Sequence, residues 1–328
     1  MMKKAGNMWK APNLYLVIML VLLGCFGGDI QKTNRELNRN QLSSRDSWNY
    51  HFAVDLGETD TWFAEEFVRG AEEEAGKYGI ALEIKGKNSS FQEGETGFIQ
   101  WACDANIDAV ISSGEDTQDG KEISEILSRS QTECAVVCNQ VSYGESFYIG
   151  TDNYQEGYCL GELLGEKYGG KEAEIVLLYG AVEEEIENSR VEGFCEALAL
   201  CPNIRILEKR VVKPNILEAM GQAEEILLNR RNLAEFVCFG ENILEGTARG
   251  VIDLNRVKTI DISGIGDSGR IRDYMEKGIL DVIVSGDYYG MGREAVRALY
   301  QRKKGKSEKA GRILLPFSLQ GKRGEEAR

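Results

Sequence analysis

From residue 50 onwards, short apolar runs alternate with longer amphipathic segments, and this alternation restricts the chain to few folds. Phe63, Phe67, Ala71 and Ala75 recur at helical spacing, which predicts a helix over 62–78. Strand followed by helix, repeated, builds a parallel sheet with helices on both faces, so we predict an α/β fold. The predicted strands are 51–56, 81–84, 109–112, 135–138, 174–178, 205–212, 236–239, 259–263 and 281–285.

The length of the chain indicates two domains. At 328 residues it exceeds the size at which a single hydrophobic core usually stops growing. With 42% apolar and 28% charged residues, its composition is that of ordinary globular domains. We therefore expect two domains, each with its own core.

The first residues have the character of an export signal. Lys3, Lys4 and Lys10 precede the apolar run 14–23, which is about half the length needed to cross a bilayer. The run ends at Leu22-Leu23-Gly24-Cys25, which resembles the lipobox of bacterial lipoproteins, where the chain is cut before a cysteine that carries a lipid. The resemblance implies lipidation at Cys25.

The nature of the membrane attachment stays open at this point. Leu23 departs from the small or β-branched residue usual in a lipobox, so an uncleaved anchor beginning near Met8 is the alternative. Residues 26–49 are polar and rich in Asn, Arg, Ser and Gln, which predicts a flexible tether. With either attachment we expect the body outside the cytoplasm, on the outer face of the cell membrane.

Charge and cysteine usage exclude several classes of site and partner. The formal net charge of −14 repels phosphate backbones, so nucleic acid is not an expected partner. An odd number of the 8 cysteines follows Cys25, and Cys134 and Cys138 lie about 13 Å apart in a predicted strand, beyond disulfide reach. With His51 as the single histidine and no CxxC motif, we expect no metal site.

Several motifs stand at the ends of the predicted strands and helices. They are Thr61-Trp62-Phe63 with Val68-Arg69-Gly70, Gly150-Thr151-Asp152-Asn153-Tyr154 with Gly157, Asn188-Ser189-Arg190-Val191-Glu192-Gly193-Phe194, and Asp287-Tyr288-Tyr289 with Met291-Gly292. Together they resemble the motifs of the type I periplasmic binding proteins, the ribose-binding and lactose-repressor superfamily. The likeness covers about residues 50–318 and implies two doubly wound parallel-sheet domains joined by three crossing strands, with a ligand cleft between them.

The resemblance also implies a division of the chain. Crossings near Gly150, Asp287 and Leu314 would separate an N-terminal lobe from a C-terminal lobe. The expected segments are 1–25 as signal or anchor, 26–49 as tether, 50–150 with 287–313 as N-terminal lobe, 151–286 with 314–320 as C-terminal lobe, and 321–328 as a disordered tail.

Aromatic residues after the first strand are implied ligand contacts. Trp62 and Phe63 match positions at which sugar-binding relatives stack rings on a sugar face, whose C–H groups suit the π cloud. Phe63 has the alternative of packing in the core. Asp60 has two interpretations, as an acceptor for a ligand hydroxyl or as a helix cap.

Arg190 is the implied ligand contact from the second domain. Its planar guanidinium can donate two parallel hydrogen bonds to ligand oxygens. An ion pair with the acidic run 183–187 is the alternative, and the two roles are compatible.

Other positions depart from the sugar-binding pattern. Asn139-Gln140 stands where many relatives carry Asp-Arg, Gly240-Glu241 where they carry Asn-Asp, and Gly286 where glutamine is common. Because Gly240 and Gly286 have no side chain, they would leave room for a larger ligand. Strand-end positions add the remaining candidates, because ligands bind beyond the carboxyl ends of parallel strands. The predicted ligand set is Asp60, Trp62, Phe63, Ser113, Asn139, Gln140, Arg190, Glu241, Asp267 and Asp287.

One motif favours a different class of protein, an NAD-dependent enzyme. Gly264-Ile265-Gly266-Asp267-Ser268-Gly269 matches GxGxxG, follows a predicted strand and opens a helix. The dinucleotide fingerprint, however, belongs to the first βαβ unit of its domain, and this match comes late. GxSxG and HExxH motifs are absent from the sequence. We therefore expect neither catalysis nor a cofactor.

Two functions follow from the resemblance. The first is a receptor that captures a small polar ligand, a sugar or related metabolite, for the permease of an ABC importer. The second is an accessory protein that presents the same ligand-bound form to a membrane histidine kinase.

Overall fold

The computed structural model describes residues 48–57, 61–85, 94–114, 120–137, 139, 141, 143–180, 185–306, 311–321 and 324–327. The chain divides into the units Met1–Asn49 and Tyr50–Arg328. The predicted signal, Cys25, nearly all of the tether, Asp60 and Gln140 lie outside the described residues. In the part of the chain that the structure describes, no helix combines the length and apolar character needed to cross a membrane.

Strands and helices alternate through the second unit. The strands are β1 Tyr50–Asp55, β2 Ile80–Lys85, β3 Ala109–Ser112, β4 Glu133–Val137, β5 Phe147–Gly150, β6 Ala173–Tyr179, β7 Ile204–Val211, β8 Glu235–Phe239, β9 Asp261–Ile265, β10 Val282–Gly286, β11 Arg312–Leu314, β12 Phe317–Gly321 and β13 Gly324–Ala327. The helices are α1 Thr61–Tyr78, α2 Gly94–Asp104, α3 Gly120–Ser128, α4 Asn153–Tyr168, α5 Glu185–Leu198, α6 Ile216–Asn229, α7 Glu241–Asp253, α8 Gly269–Glu276 and α9 Tyr288–Lys303.

These strands form two sheets. The first has the order β11-β5-β4-β3-β1-β2 and is parallel throughout. The second has the order β13-β12-β10-β9-β8-β6-β7, in which β12 runs antiparallel to both of its neighbours and the other pairs are parallel. We call each sheet with its helices the first and the second lobe.

Both faces of each sheet are apolar, as expected where helices cover both sides. Side chains alternate between faces along a strand. Phe52 and Val54 therefore belong to one buried cluster of the first lobe, and Ala53 between them belongs to another. In the second lobe, Phe236 and Val237 divide in the same way between two clusters. The predicted doubly wound α/β architecture is confirmed.

Glycines of the quoted motifs lie where helices approach each other most closely. A Cβ on Gly70 of α1 would lie 2.1 Å from the Tyr289 carbonyl oxygen in α9, and one on Gly292 would lie 2.0 Å from that of Phe67. In the second lobe, a Cβ on Gly157 of α4 would lie 1.8 Å from the Arg190 carbonyl oxygen in α5. Only glycine permits this spacing, so these motif positions set the packing of α1 on α9 and of α4 on α5.

The chain passes from one sheet to the other between β5 and α4, at the β10–α9 junction, and between β11 and β12. The end of the chain differs from the disordered tail predicted over 321–328. Gly321 belongs to β12, and Gly324–Ala327 forms β13, paired antiparallel with β12. The physical reason is that β12 would otherwise expose a row of unpaired backbone groups at the sheet edge, and β13 satisfies them.

Candidate functional site

Aromatic side chains connect the start of α1 with the start of α9. The Phe63 and Tyr288 rings meet edge to face, with centroids 5.1 Å apart. Phe63 also stacks on Phe67 within the core, with centroids 5.8 Å apart. Phe63 therefore has a packing role and also supports the ring of Tyr288, which follows directly on the β10–α9 junction.

Charged groups of the second lobe act on the Tyr288 hydroxyl. Burial raises the pKa of Tyr288 above its ordinary value; the Arg190 charge opposes this rise, whereas the Glu156, Glu241 and Asp267 carboxylates add to it. Three predicted ligand residues, Arg190, Glu241 and Asp267, thus influence the pKa of one hydroxyl, and Glu241 Oε2 accepts a hydrogen bond from the Asp267 backbone N–H at 3.5 Å. Tyr288 was missing from the predicted set, although its place directly after a crossing was a usable signal.

A contact between Trp62 and Arg272 joins the two lobes. Trp62 is in α1, and the guanidinium carbon of Arg272, in α8, lies 5.6 Å from the centre of its ring, within cation–π range. Arg272 in turn donates from Nε and Nη2 to the two carboxylate oxygens of Asp267, both at 2.7 Å. Among the described residues, the buried Nε1 of Trp62 has no hydrogen-bond partner. The sequence alone did not reveal Arg272, because its role depends on this contact between lobes.

Arg190 forms a buried ion pair with Glu156. Its Nε and Nη2 both lie 2.7 Å from Oε2 of Glu156, whose side chain is 0% exposed. Arg190 thus has a partner in α4, while the alternative drawn from the sequence, the acidic run 183–187, begins outside the described residues. The second carboxylate oxygen of Glu156, Oε1, is buried and has no hydrogen-bond partner in the described structure. Asn153 lies one turn earlier on the same helix. Its Nδ2 is also buried and has no hydrogen-bond partner in the described structure.

Gly240 and Gly286 stand where relatives carry larger residues, and the local structure explains why each position is a glycine. Gly240 has φ 106°, a conformation that residues with a Cβ rarely adopt, and it precedes Glu241 at the start of α7. A Cβ on Gly286 would lie 2.9 Å from Cε1 of Tyr288. The room left by Gly286 is therefore taken by the Tyr288 ring, which differs from the expectation that a larger ligand would use it.

A second group of polar residues lies at the strand ends of the first lobe. Ser113 is buried, and its carbonyl oxygen accepts a hydrogen bond from the Asn139 backbone N–H at 3.2 Å. Beside them, Glu95 of α2 accepts hydrogen bonds from the Ser112 hydroxyl, from the Gly114 N–H at 2.9 Å and from the Tyr143 hydroxyl at 2.8 Å. Glu95 thus holds the loop after β3 in place.

Asp287 is held by a local structural contact. It is exposed and caps α9, accepting a hydrogen bond from the Gly290 N–H at 2.7 Å. The described residues contain no group of three or more His, Cys, Asp or Glu side chains placed to hold a metal ion.

A family model described as a periplasmic binding protein domain matches residues 52–307. The chain belongs to this family. The predicted family is thereby confirmed. Because the family and its structural neighbours are non-enzymatic solute-binding proteins, the prediction that the chain is not an enzyme is confirmed too.

Individual relatives of this periplasmic binding protein are distant. The galactofuranose-binding protein YtfQ of Escherichia coli K12 is 23% identical over 206 residues, which are 60% of this chain and 63% of YtfQ. The chain thus spans less than two thirds of that relative's length.

Two solved structures share the fold. GanP, a glucose-galactose binding protein from Geobacillus stearothermophilus, has 23% identity and a TM-score of 0.74 over 84% of this chain and 98% of GanP. An ABC transporter solute binding protein from Bacillus halodurans C-125 with bound myo-inositol has 18% identity and a TM-score of 0.75 over 84% of this chain and 96% of its own.

Proposed function

We propose that this protein is an extracytoplasmic solute-binding protein that captures a sugar or related polar metabolite between its lobes and delivers it to an ABC importer. The observation that carries the proposal is the contact of Phe63 with Tyr288 at the β10–α9 junction, together with the contact of Trp62 with Arg272 of the second lobe, whose guanidinium is paired with Asp267. Flat rings beside charged hydrogen-bonding groups are the combination that a sugar, with its apolar faces and polar rim, requires.

Buried polar atoms without partners provide specific contacts for such a ligand. Trp62 Nε1 and Asn153 Nδ2 can each donate a hydrogen bond, and Glu156 Oε1 can accept one. An unsatisfied buried polar atom costs free energy, which a ligand hydroxyl would recover on binding. The ligand would therefore favour the arrangement in which the lobes meet, and closure would be a population shift driven by its contacts.

The similar proteins support this choice of ligand and role. Their names specify galactofuranose, glucose and galactose, and an ABC transporter protein with bound myo-inositol. Attachment to the outer face of the membrane, through Cys25 or an uncleaved anchor, remains a prediction from the sequence, as does the histidine-kinase alternative. Loss of uptake when the neighbouring permease gene is deleted would favour import over sensing.

A thermal-shift screen tests the proposal. We expect one or more neutral sugars or polyols to raise the melting temperature, because a ligand at 100 times its Kd stabilises by about 2.7 kcal/mol. For domains of this size that corresponds to a shift of about 5–10 °C. The panel should include galactose, glucose, arabinose, allose, fucose and myo-inositol, followed by calorimetry on the hits. If no sugar or polyol, neutral or acidic, shifts the melting temperature, the proposal fails.

Trp62→Ala is expected to weaken binding of the screened sugar about 10- to 100-fold, because a central aromatic contact typically contributes about 1.5–3 kcal/mol. Trp62→Phe should have a smaller effect, since it keeps an aromatic ring while it removes the Nε1–H donor and part of the ring area. Isothermal titration calorimetry measures both. Trp48, which is 44% exposed, supplies the control in Trp48→Ala. Equal affinity in Trp62→Ala and wild type would place the ligand elsewhere.

A further inference from the structure

The two arginines of the site are both neutralised by carboxylates. Arg190 bonds to Glu156 at 2.7 Å, and Arg272 bonds to both oxygens of Asp267 at 2.7 Å. Glu241 adds a further carboxylate, which is 9% exposed and accepts a hydrogen bond from the Asp267 backbone N–H at 3.5 Å. Counted over these described residues, the formal charge is 2 − 3 = −1. The site thus offers arginine hydrogen bonds without a net positive charge.

The unpartnered oxygen of Glu156 adds a second restriction. Glu156 Oε1 is buried and can only accept a hydrogen bond when ionised. A sugar hydroxyl can donate to it, whereas the carboxylate of a uronic acid or a phosphate group can only accept from other groups. An anionic group placed here would face a like charge in a site with little water to screen it.

We infer that this site selects uncharged polyhydroxy ligands and rejects their anionic derivatives, an inference that rests on the function proposed above. Glu156 is the residue that determines this selectivity. Glu156 does so in two ways: it cancels the charge of Arg190, and it presents an acceptor that only a hydrogen-bond donor can satisfy. Exclusion by a repulsive element of this kind is a general route to specificity.

Matched pairs of ligands test the inference. D-glucose is compared with D-glucuronate and D-galactose with D-galacturonate, by thermal shift and calorimetry on the whole exported chain. The wild-type protein should bind the neutral member of the preferred pair about 100-fold more tightly than the acid. Glu156→Gln leaves the Arg190 charge without its counter-ion, so it should reduce this ratio at least about tenfold, mainly through tighter binding of the acid.

Glu166→Gln is the matched control, since it removes one charge from the exposed side of the same helix. It should leave the ratio unchanged. Circular dichroism and the melting temperature establish that Glu156→Gln is folded. If it is not, Asp267→Asn frees the charge of Arg272 at a more exposed pair and should shift the ratio in the same direction.

The outcomes separate this inference from the proposed function. A wild-type protein that binds an acid as tightly as its neutral partner overturns the charge selection and leaves sugar binding intact. A folded Glu156→Gln variant with the wild-type ratio overturns the role of Glu156. A panel in which neither neutral nor acidic sugars bind removes the proposed function itself.

Discussion

Arg190→Ala is expected to lower the free energy of unfolding by about 3–5 kcal/mol, because it leaves the Glu156 carboxylate buried without its counter-ion. The side chain of Glu156 is 0% exposed and that of Arg190 is 15% exposed, so water that enters the vacated space offsets only part of this cost. Ligand binding should weaken as well, since the donor from the second lobe is gone. Urea denaturation measures the first effect and calorimetry at low temperature the second.

The double variant Arg190→Ala with Glu156→Gln distinguishes the two effects. Removing both charges should restore most of the stability and none of the binding, which gives a coupling energy in a double-mutant cycle. A single variant Arg190→Ala with wild-type stability would mean that Glu156 is neutral or hydrated in the folded protein. The motif around Arg190 implies only a role in binding, and the buried partner in α4 is the reason for expecting a loss of stability as well.

Most strands that are buried on both faces could be predicted from the sequence, although the fully buried β5 was missed. Ala109–Ser112 was predicted with its observed bounds because an uninterrupted apolar run between polar segments has few other structures. The edge elements β11 and β13 were not, since Arg312–Leu314 has exposed ends and Gly324–Ala327 reads Gly-Glu-Glu-Ala, with alanine as its one apolar residue. Their pairing depends on neighbouring strands that lie far away in the sequence.

The candidate site could be predicted only in part. Trp62, Phe63 and Arg190 were suggested by motifs, which are local patterns of sequence. Glu156 and Arg272 were missed, because each gains its role from a partner on another segment, Glu156 from Arg190 in α5 and Arg272 from Trp62 across the lobes. A buried carboxylate in the first turn of a helix gives no signal in helical periodicity. That the predicted ligand residues contact the ligand remains a prediction.

Gly157→Ala is expected to destabilise the protein by about 1–3 kcal/mol or more and to weaken ligand binding, because the added methyl overlaps the backbone of Arg190. Its Cβ would lie 1.8 Å from the Arg190 carbonyl oxygen and 2.9 Å from the Arg190 Cα. Neither atom is the end of a flexible side chain, so α5 must move away from α4. That movement displaces the guanidinium from Glu156 and from the ligand. Urea denaturation and calorimetry measure the two losses.

Two other glycines separate packing from positioning in this experiment. Gly161→Ala, one turn further along α4, meets the Phe194 carbonyl oxygen at 2.8 Å, so it should lower stability with a smaller effect on binding. Gly76→Ala, in α1, meets nothing within 4 Å and should stabilise by about 0.5–1 kcal/mol, as alanine does in a helix interior. If Gly157→Ala and Gly161→Ala reduced binding equally, the close contact at Gly157 would serve packing alone, and the position of Arg190 would be set by its ion pair with Glu156.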